Sequence, residues 1–121
     1  MKSLGIVRER KPLEYRVALL PEHVRVLVQE GCTVFVETGA GKGLSLEDSE
    51  YRDAGARVLD TPEDLYANAD LILKVKEPTP EEYGYFREGQ MLFCFLHLAA
   101  NPGLAQFLND KKIQAFAFES I

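Results

Sequence analysis

The sequence predicts an α/β fold in which helices cover both faces of a doubly wound, mainly parallel sheet. Three observations lead to this prediction. The apolar runs are short and mostly continuous, as is typical of strands that are buried on both faces. Helix signals separate these runs. Polar residues follow the last three runs at intervals of 21 and 22 residues, the spacing of a strand-helix-strand step. We therefore expect a flavodoxin-like or Rossmann-like domain.

Five apolar runs predict the strands. They lie at residues 4–7, 33–36, 71–75, 91–96 and 113–118. Right-handed helical crossovers join such strands, so their carboxyl ends are expected to meet at one edge of the sheet. Open α/β folds bind their ligands at that edge.

The first helix is predicted from one apolar face and from the residues that mark its ends. Apolar residues follow the i, i+4, i+7, i+8 spacing that starts at Leu20, while Pro21 suits the first turn and Gly31 the end. No hydroxyl residue caps this helix. Later helix starts each offer a capping side chain and an acidic residue three positions on. These are Ser45 with Asp48, Thr61 with Asp64 and Thr79 with Glu82, and Asn101 opens a fourth helix that runs to about Asp110.

Composition indicates one soluble domain spanning residues 1–121. The chain is 46% hydrophobic and 27% charged, with a net charge of −5 and interspersed signs, so we expect no nucleic-acid or membrane partner. No apolar run reaches the ~18 residues of a membrane span. The two cysteines, Cys32 and Cys94, are predicted to be reduced core or near-core residues of a cytoplasmic protein, and no metal site is indicated.

The sequence stops at Ile121, directly after the last predicted strand. Phe116 and Phe118 fall on one face of that strand, and residues 113, 115 and 117 on the other are also apolar. Because neither face suits water, we expect a truncated domain whose last strand is covered by a missing segment or by another chain.

A glycine-rich segment at residues 39–43 follows the second strand and invites comparison with a dinucleotide-binding loop. The third glycine of that fingerprint would have to stand at Leu44, directly opening a helix. Nor does the Gly-Lys-Ser/Thr of a P-loop follow. We therefore predict a backbone turn here, with the next helix capped at Ser45.

Candidate site residues follow the strands. Lys76, His97 and Glu119 each come after an apolar run, and Arg16 lies in the connection after the first strand. Arg16 and Lys76 together suit the carboxylate and the carbonyl of a small oxo acid. His97 can exchange protons near pH 7, and Glu119 can fix its tautomer.

Each of these residues also has a purely structural interpretation. Arg16 would be a solvated loop cation, Lys76 part of a salt bridge at the strand end, and His97 a core histidine. By strand parity Lys74 shares a face with Lys76 and is predicted to be partly buried or at an edge. The remaining charged residues, Glu82 among them, are interpreted as solvated surface, and His23 is assigned no role.

Five motifs resemble the amino-terminal part of alanine dehydrogenases. They are EYRVAL at 14–19, VETGAG at 36–41, LKVKEP at 73–78, EYGY at 82–85 and FLHLAA at 95–100. The related proton-translocating transhydrogenase domains share the fold and the opening motif, but as a family lack the pair present here as Lys76 and His97. The resemblance therefore favours alanine dehydrogenase, with a transhydrogenase-type domain as the alternative.

The resemblance implies NAD-dependent interconversion of L-alanine with pyruvate and ammonia. Arg16 and Lys76 match the family's substrate ligands, His97 its proposed acid/base, and Glu119 the acidic neighbour of that histidine. Residues 1–121 would be the substrate-site domain, while the nucleotide-binding domain and the catalytic aspartate would lie beyond Ile121. The resemblance further implies that the full-length enzyme is a hexamer that binds NAD, with no cofactor bound to this chain. Leu20 departs from the threonine that the family usually has there.

The sequence also bears on two alternatives of other classes. A signalling receiver domain has a similar size and architecture, but it needs acidic residues where this sequence has Val7 and Arg8, and an aspartate where it has Lys76 and Glu77. A non-catalytic oxo-acid-binding or assembly module stays open, because nothing in this sequence supplies hydride chemistry.

Overall fold

The computed structural model describes residues 3–11, 14–95 and 102–117. Within them six strands form one sheet in which every pairing is parallel. The strands are β1 Ser3–Ile6, β2 Thr33–Glu37, β3 Arg57–Leu59, β4 Leu71–Lys76, β5 Met91–Phe95 and β6 Gln114–Ala117. In the same described residues, four α-helices and two 3₁₀ helices lie between the strands. They are α1 Pro21–Gln29, α2 Asp48–Asp53, α3 Pro62–Asn68 and α4 Pro102–Asp110, with 3₁₀ helices at Lys42–Leu44 and Pro80–Tyr85.

The strand order is β3-β2-β1-β4-β5-β6, so the chain builds the sheet outwards from β1 and then from β4 on the other side. The doubly wound α/β fold predicted from the sequence is confirmed. In such a sheet the connections after β1 and β4 run in opposite directions, which opens a crevice at their carboxyl ends. This switch point lies between β1, the strand before Arg16, and β4, the strand that ends at Lys76.

Two apolar clusters lie on the two faces of the sheet. The first packs α1 and α2 against β1 and β2, with Leu4, Ile6, Val24, Val34, Val36 and Tyr51 buried. The second packs α3, α4 and the 3₁₀ helix Pro80–Tyr85 against the other face, with Leu65, Tyr66, Ile72, Leu92, Leu104 and Phe107 buried. Burial on both faces explains why the strands are continuously apolar in sequence.

The predicted strands agree with the structure to within one residue wherever their ends are described, but one strand was missed. Arg57–Leu59 is a three-residue strand at the edge of the sheet, paired only with β2. It offers two apolar residues, too few to establish a pattern.

Helix starts agree with the sequence in part. The start at Thr61 is confirmed, because its Oγ1 accepts a hydrogen bond from Asp64 N at 3.2 Å. The first helix begins at Pro21 as predicted, and Leu20 N donates to His23 Nδ1 at 3.1 Å. His23 therefore has a capping role that the sequence did not suggest, and it compensates in part for the missing hydroxyl cap.

The prediction of a helix cap at Ser45 is wrong. Ser45 has φ of +60° and ends the 3₁₀ helix Lys42–Leu44, and α2 begins only at Asp48. Its N-cap is Glu47, whose backbone N donates to Glu50 Oε2 at 2.7 Å. The helix therefore starts at the acidic pair Glu47 and Glu50, which suits the positive end of a helix, and not at the hydroxyl of Ser45 two residues before Glu47.

Asp48 fastens the start of α2 to the turn after β2. Its carboxylate accepts hydrogen bonds from Thr38 Oγ1 at 2.6 Å and Gly39 N at 3.0 Å, and the Thr38 bond is the main reason that the pKa of Asp48 is lowered. Hydrogen bonds to a charged acceptor such as this carboxylate are stronger than hydrogen bonds between neutral groups.

We expect Asp48→Asn to lower the free energy of unfolding by about 1 kcal/mol at pH 7. A carboxyl whose pKa is lower in the folded state stabilises the fold above its unfolded pKa and loses that contribution as pH falls through the folded value. The deficit measured by denaturant titration should therefore shrink as pH falls below the ordinary aspartate range. Asp53→Asn, an exposed position at the other end of α2, is the control, and an equal deficit in both variants at every pH would contradict the assigned role.

The last strand is covered on one face. Ile113 and Ala115 belong to the cluster under α4, whereas Phe116 is 48% exposed on the opposite face. Phe93, its register partner, and Met91 are half-buried. Among the described side chains of this strand, Ile113 and Ala115 are therefore covered and Phe116 is exposed, and its covering by a further segment or by another chain stays a prediction.

Candidate functional site

Arg16 and Lys76 lie beside the switch point of the sheet. Arg16 belongs to the connection that runs from β1 to α1, and Lys76 is the last residue of β4, the strand that pairs with β1. The two cations therefore reach the same carboxyl edge from adjacent strands, although 60 positions separate them in sequence.

Arg16 is held by a neighbouring carboxylate. Its Nε and Nη2 donate to the two oxygens of Glu14 at 3.0 and 2.8 Å, and its backbone N donates to Glu14 Oε2 at 2.9 Å. The Glu14 side chain is 6% exposed, whereas that of Arg16 is 59% exposed. This bidentate pair fixes one edge of the guanidinium and leaves its remaining surface open to solvent or to a ligand.

The charges around Glu14 connect Arg16 with Lys76. The hydrogen bond from Arg16 is the main reason that the pKa of Glu14 is lowered, and the positive charge of Lys76 contributes to the same shift. Lys76 therefore lies within electrostatic reach of Glu14. Arg16 thus contacts this carboxylate directly, whereas Lys76 acts on it only through its charge.

Lys74 and Lys76 have opposite surroundings, so the prediction that they share a face is wrong. Leu73 pairs with Phe93 and Lys76 with Phe95, which means that three steps on β4 match two on β5. This irregularity inserts one residue into β4, and an inserted residue reverses the alternation that follows it. Lys76 thus continues the face of Leu73 and not that of Lys74.

Lys74 is fully buried, not partly buried or at an edge. Its side chain is 1% exposed, and its Nζ lies 2.9 Å from Glu82 Oε2 and 3.3 Å from Glu9 Oε1. Glu82 is 0% exposed, so its assignment to solvated surface is wrong as well. Its Oε1 accepts hydrogen bonds from Thr79 N at 2.9 Å and Thr79 Oγ1 at 3.0 Å. One lysine is thus the shared counter-charge of two buried carboxylates below the site, and its single charge balances one of them.

Glu9 was missed in the sequence and is central in the structure. Its side chain is 2% exposed, and its oxygens accept hydrogen bonds from the backbone N of Val75 at 2.8 Å and of Lys76 at 3.2 Å. Burial raises the pKa of Glu9 although the Lys74 charge and these hydrogen bonds oppose that shift. The available signal was a carboxylate three positions after the end of the first strand, at the ligand-binding edge.

A cavity of ≈ 350 Å³ lies between the β1–α1 connection and the glycine-rich turn. Three cations and two carboxylates contribute to its wall, so it suits a small anion. The described lining is Arg8, Glu9, Glu14, Tyr15, Arg16, Gly39, Ala40, Lys42 and Gly43. Lys76 is not among these described lining residues, but Glu9 is, and Glu9 binds the backbone of Lys76.

The glycine-rich segment is a turn, as predicted, and it packs tightly against the arginine connection. A Cβ on Gly43 would lie 2.3 Å from Tyr15 O and 2.7 Å from Tyr15 Cα. Only glycine allows the two backbones to approach so closely. The glycine thus sets the position of the residue that precedes Arg16.

His97 and Glu119 lie outside the described residues. Lys76 pairs with Phe95, two positions before His97, and Ala117, two positions before Glu119, pairs with Cys94 on β5. Their roles stay predictions from the sequence.

The described part of the chain holds neither a metal-ligand cluster nor a membrane-spanning helix. No group of three or more histidine, cysteine, aspartate or glutamate residues there is arranged to hold a metal ion. None of the helices there has the length and apolar character needed to cross a membrane.

Comparison with known proteins identifies the family. The model of the family described as "Alanine dehydrogenase/PNT, N-terminal domain" matches residues 5–121. The chain belongs to this family. Among curated members, the alanine dehydrogenase of Bacillus subtilis (strain 168) is 48% identical over 118 residues, which cover 98% of this chain and 31% of that protein. The alanine dehydrogenase of Methanococcus maripaludis is 44% identical over 118 residues, or 98% of this chain and 32% of that protein. The chain therefore spans about a third of the length of these family members.

Solved structures of the family have the same fold. An L-alanine dehydrogenase superimposes with a TM-score of 0.93 at 42% identity, covering 97% of this chain and 32% of the other. A transhydrogenase from Sinorhizobium meliloti superimposes with a TM-score of 0.90 at 36% identity, covering 98% and 35%. The resemblance drawn from the five motifs is confirmed, and the fold is common to both branches of the family.

Proposed function

We propose that this chain is the substrate-site domain of an NAD-dependent L-alanine dehydrogenase, which converts L-alanine, NAD and water to pyruvate, ammonia and NADH. The observation that carries the proposal is the position of Arg16 and Lys76 at the carboxyl ends of the neighbouring strands β1 and β4, at the switch point of the sheet. Arg16 would bind the substrate carboxylate through the open part of its guanidinium. Lys76 would hold the carbonyl oxygen and the negative charge that develops on it.

The remaining roles are assigned by the resemblance. His97 would exchange protons at the substrate oxygen or nitrogen, and Glu119 would orient the imidazole and support its charged form. Histidine suits this task because its ordinary pKa lies near neutrality. Lys76, His97 and Arg16 are thus the proposed substrate ligands, with Lys76 and His97 catalytic.

NAD would be bound by another part of the complete enzyme, outside residues 1–121. The described residues do not fit a dinucleotide. The glycine-rich turn leads into the 3₁₀ helix Lys42–Leu44, and the α-helix that follows carries Asp48 and Glu50 in its first turn. Those carboxylates would repel a pyrophosphate.

Further proposals follow from family membership. The partner of the complete enzyme would be a small molecule, pyruvate or L-alanine, with neither nucleic acid nor membrane involved, and its location would be cytoplasmic. It would be a homo-oligomer, a hexamer by resemblance to the family. The exposed Phe116 face supports a covering contact in the complete protein.

A second candidate is a transhydrogenase-type domain, which the match to the Sinorhizobium meliloti structure favours. Turnover of the complete enzyme with L-alanine and NAD separates the two candidates, because a transhydrogenase-type protein would show none. A non-catalytic oxo-acid-binding module would bind pyruvate but likewise give no turnover.

We expect residues 1–121 to bind pyruvate weakly and NAD not at all. The cations at the site attract a carboxylate, whereas a fitting glycine fingerprint is absent. Calorimetric titration should show pyruvate binding that weakens as salt is raised from about 0.05 to 0.5 M, because screening acts on exposed charges. Arg16→Gln should abolish the signal, while Arg25→Gln on the exposed face of α1 should leave it intact. Saturable NAD binding at micromolar concentration would overturn this expectation.

A further inference from the structure

The end of β4 departs from regular parallel pairing at the residues that lead into Lys76. Between Leu73 and Lys76 the register with β5 shifts by one residue. An extra residue of this kind disrupts the hydrogen-bond ladder locally and re-aims the side chain that follows. Buried backbone N–H groups there need other acceptors.

Glu9 supplies those acceptors from the connection after β1. Its Oε2 accepts from Val75 N at 2.8 Å and its Oε1 from Lys76 N at 3.2 Å, so one carboxylate spans two successive peptide groups. Val75 is 7% exposed and the Glu9 side chain 2%, which leaves little room for water to replace the contact. Hydrogen bonds to a buried charged acceptor are among the strongest in proteins.

The Glu9 carboxylate is itself held in place. Lys74 Nζ lies 3.3 Å from Glu9 Oε1 and 2.9 Å from Glu82 Oε2, and Glu82 is fastened to Thr79. The chain of contacts runs from the 3₁₀ helix through Lys74 to Glu9 and ends on the backbone of Lys76. The side chains of Glu82, Lys74 and Glu9 are all buried, so the orientation of the Glu9 carboxylate is fixed from both sides.

We propose that Glu9 is a positioning residue that holds the irregular end of β4 and thereby aims the Lys76 side chain at the carboxyl edge between β1 and β4. The proposal rests on the proposed function, in which Lys76 binds the substrate carbonyl. Glu9 acts through the backbone of Lys76 and does not need to touch the substrate. Glu9 belongs to the same connection as Arg16, so it also links that connection to the strand of Lys76.

The test is Glu9→Gln in the complete enzyme, assayed in the direction of pyruvate amination. Glutamine keeps the shape of the side chain but offers one acceptor oxygen instead of two. Either the Val75 N–H or the Lys76 N–H would then face the amide NH₂, which cannot accept a hydrogen bond. Lys74 keeps its contact with Glu82, and the fold is expected to persist. We expect kcat/KM for pyruvate to fall about 10-fold or more, with the KM for NADH unchanged.

Gln90→Met is the matched control. Gln90 is 5% exposed, and its side chain accepts from Arg87 N at 2.9 Å and donates to Tyr66 O and Ala69 O at 2.9 and 2.7 Å. Its substitution therefore also breaks buried hydrogen bonds, but at the amino edge of the sheet. It should lower the melting temperature without changing the KM for pyruvate. An equal loss of kcat/KM in both variants would mean that Glu9 is merely structural, and the proposal would fail.

A double-mutant cycle with Lys76→Met separates this inference from the proposed function. If Glu9 acts through Lys76, then Glu9→Gln should cost little further activity once Lys76 is gone. Additive losses would overturn the inference while leaving the proposed function intact, and an unimpaired Lys76→Met enzyme would overturn the proposed function itself. Should Glu9→Gln fail to fold, Glu9→Asp keeps the charge beside Lys74 but is one methylene too short to reach both N–H groups. That variant should then show the selective loss for pyruvate, and an unchanged kcat/KM would contradict the proposal.

Discussion

Lys76→Ala in the complete enzyme is expected to lower turnover by about 100-fold or more while leaving the melting temperature nearly unchanged. Lys76 is half-buried at the end of β4, and its ammonium group takes no part in the buried ion pairs of Lys74. Its removal therefore costs little packing but takes away the charge proposed to hold the substrate carbonyl. His97→Ala should produce a loss of the same order, because the proton transfer would lose its acid/base group.

Steady-state kinetics with pyruvate, ammonia and NADH, together with thermal unfolding, measure both effects. Arg25→Ala, which removes an exposed cation from α1, controls for net charge and should change neither quantity. A lower melting temperature without a kinetic defect would favour the structural interpretations, a salt bridge at the strand end for Lys76 and a core residue for His97.

Lys74→Met should have the largest effect on stability, a loss of about 3–5 kcal/mol in the free energy of unfolding. The carboxylates of Glu9 and Glu82 would stay buried without their shared counter-charge, since both contact Lys74 Nζ. Methionine matches the length of the lysine stem, so the loss would come from charge and not from a cavity.

Denaturant titration of Lys74→Met and Lys76→Met compares the same chemical change two residues apart on one strand. The first variant should be strongly destabilised and the second hardly at all. Burial already raises the pKa of Glu9, and loss of Lys74 would raise it further. A carboxyl whose pKa is raised by folding destabilises the fold increasingly as pH rises through its ordinary value, so the deficit should shrink in acid. Equal stability of the two variants would show that the buried network contributes nothing.

Local patterns were sufficient to predict most of the fold. Continuous apolar runs such as residues 91–96 identify strands because burial on both faces demands apolar side chains at every position. The start at Thr61 was correct for a similar reason, since the cap, proline and acidic residues all act within one turn. The edge strand Arg57–Leu59 was missed because three residues carry no periodicity.

The buried charges could not be predicted in this way. Glu9 contacts residues 65 to 67 positions away, and a contact at that separation has no local signature. The alternation of side chains along a regular strand predicted that Lys74 and Lys76 share a face. The irregularity between Leu73 and Lys76 breaks that alternation, and it is visible only in the pairing of β4 with β5. Glu82 was interpreted as a surface residue because the sequence does not show that its partner Lys74 is buried.

The close approach of Gly43 to Tyr15 has a mechanical consequence. Because the two backbones are in contact, the arginine connection has no clearance in which to move towards the turn. The glycine-rich turn is itself held to the start of α2 by the hydrogen bonds that Asp48 accepts from Thr38 and Gly39. Arg16, the turn and α2 are therefore joined along one wall of the cavity, and we expect this wall to move little when a ligand binds.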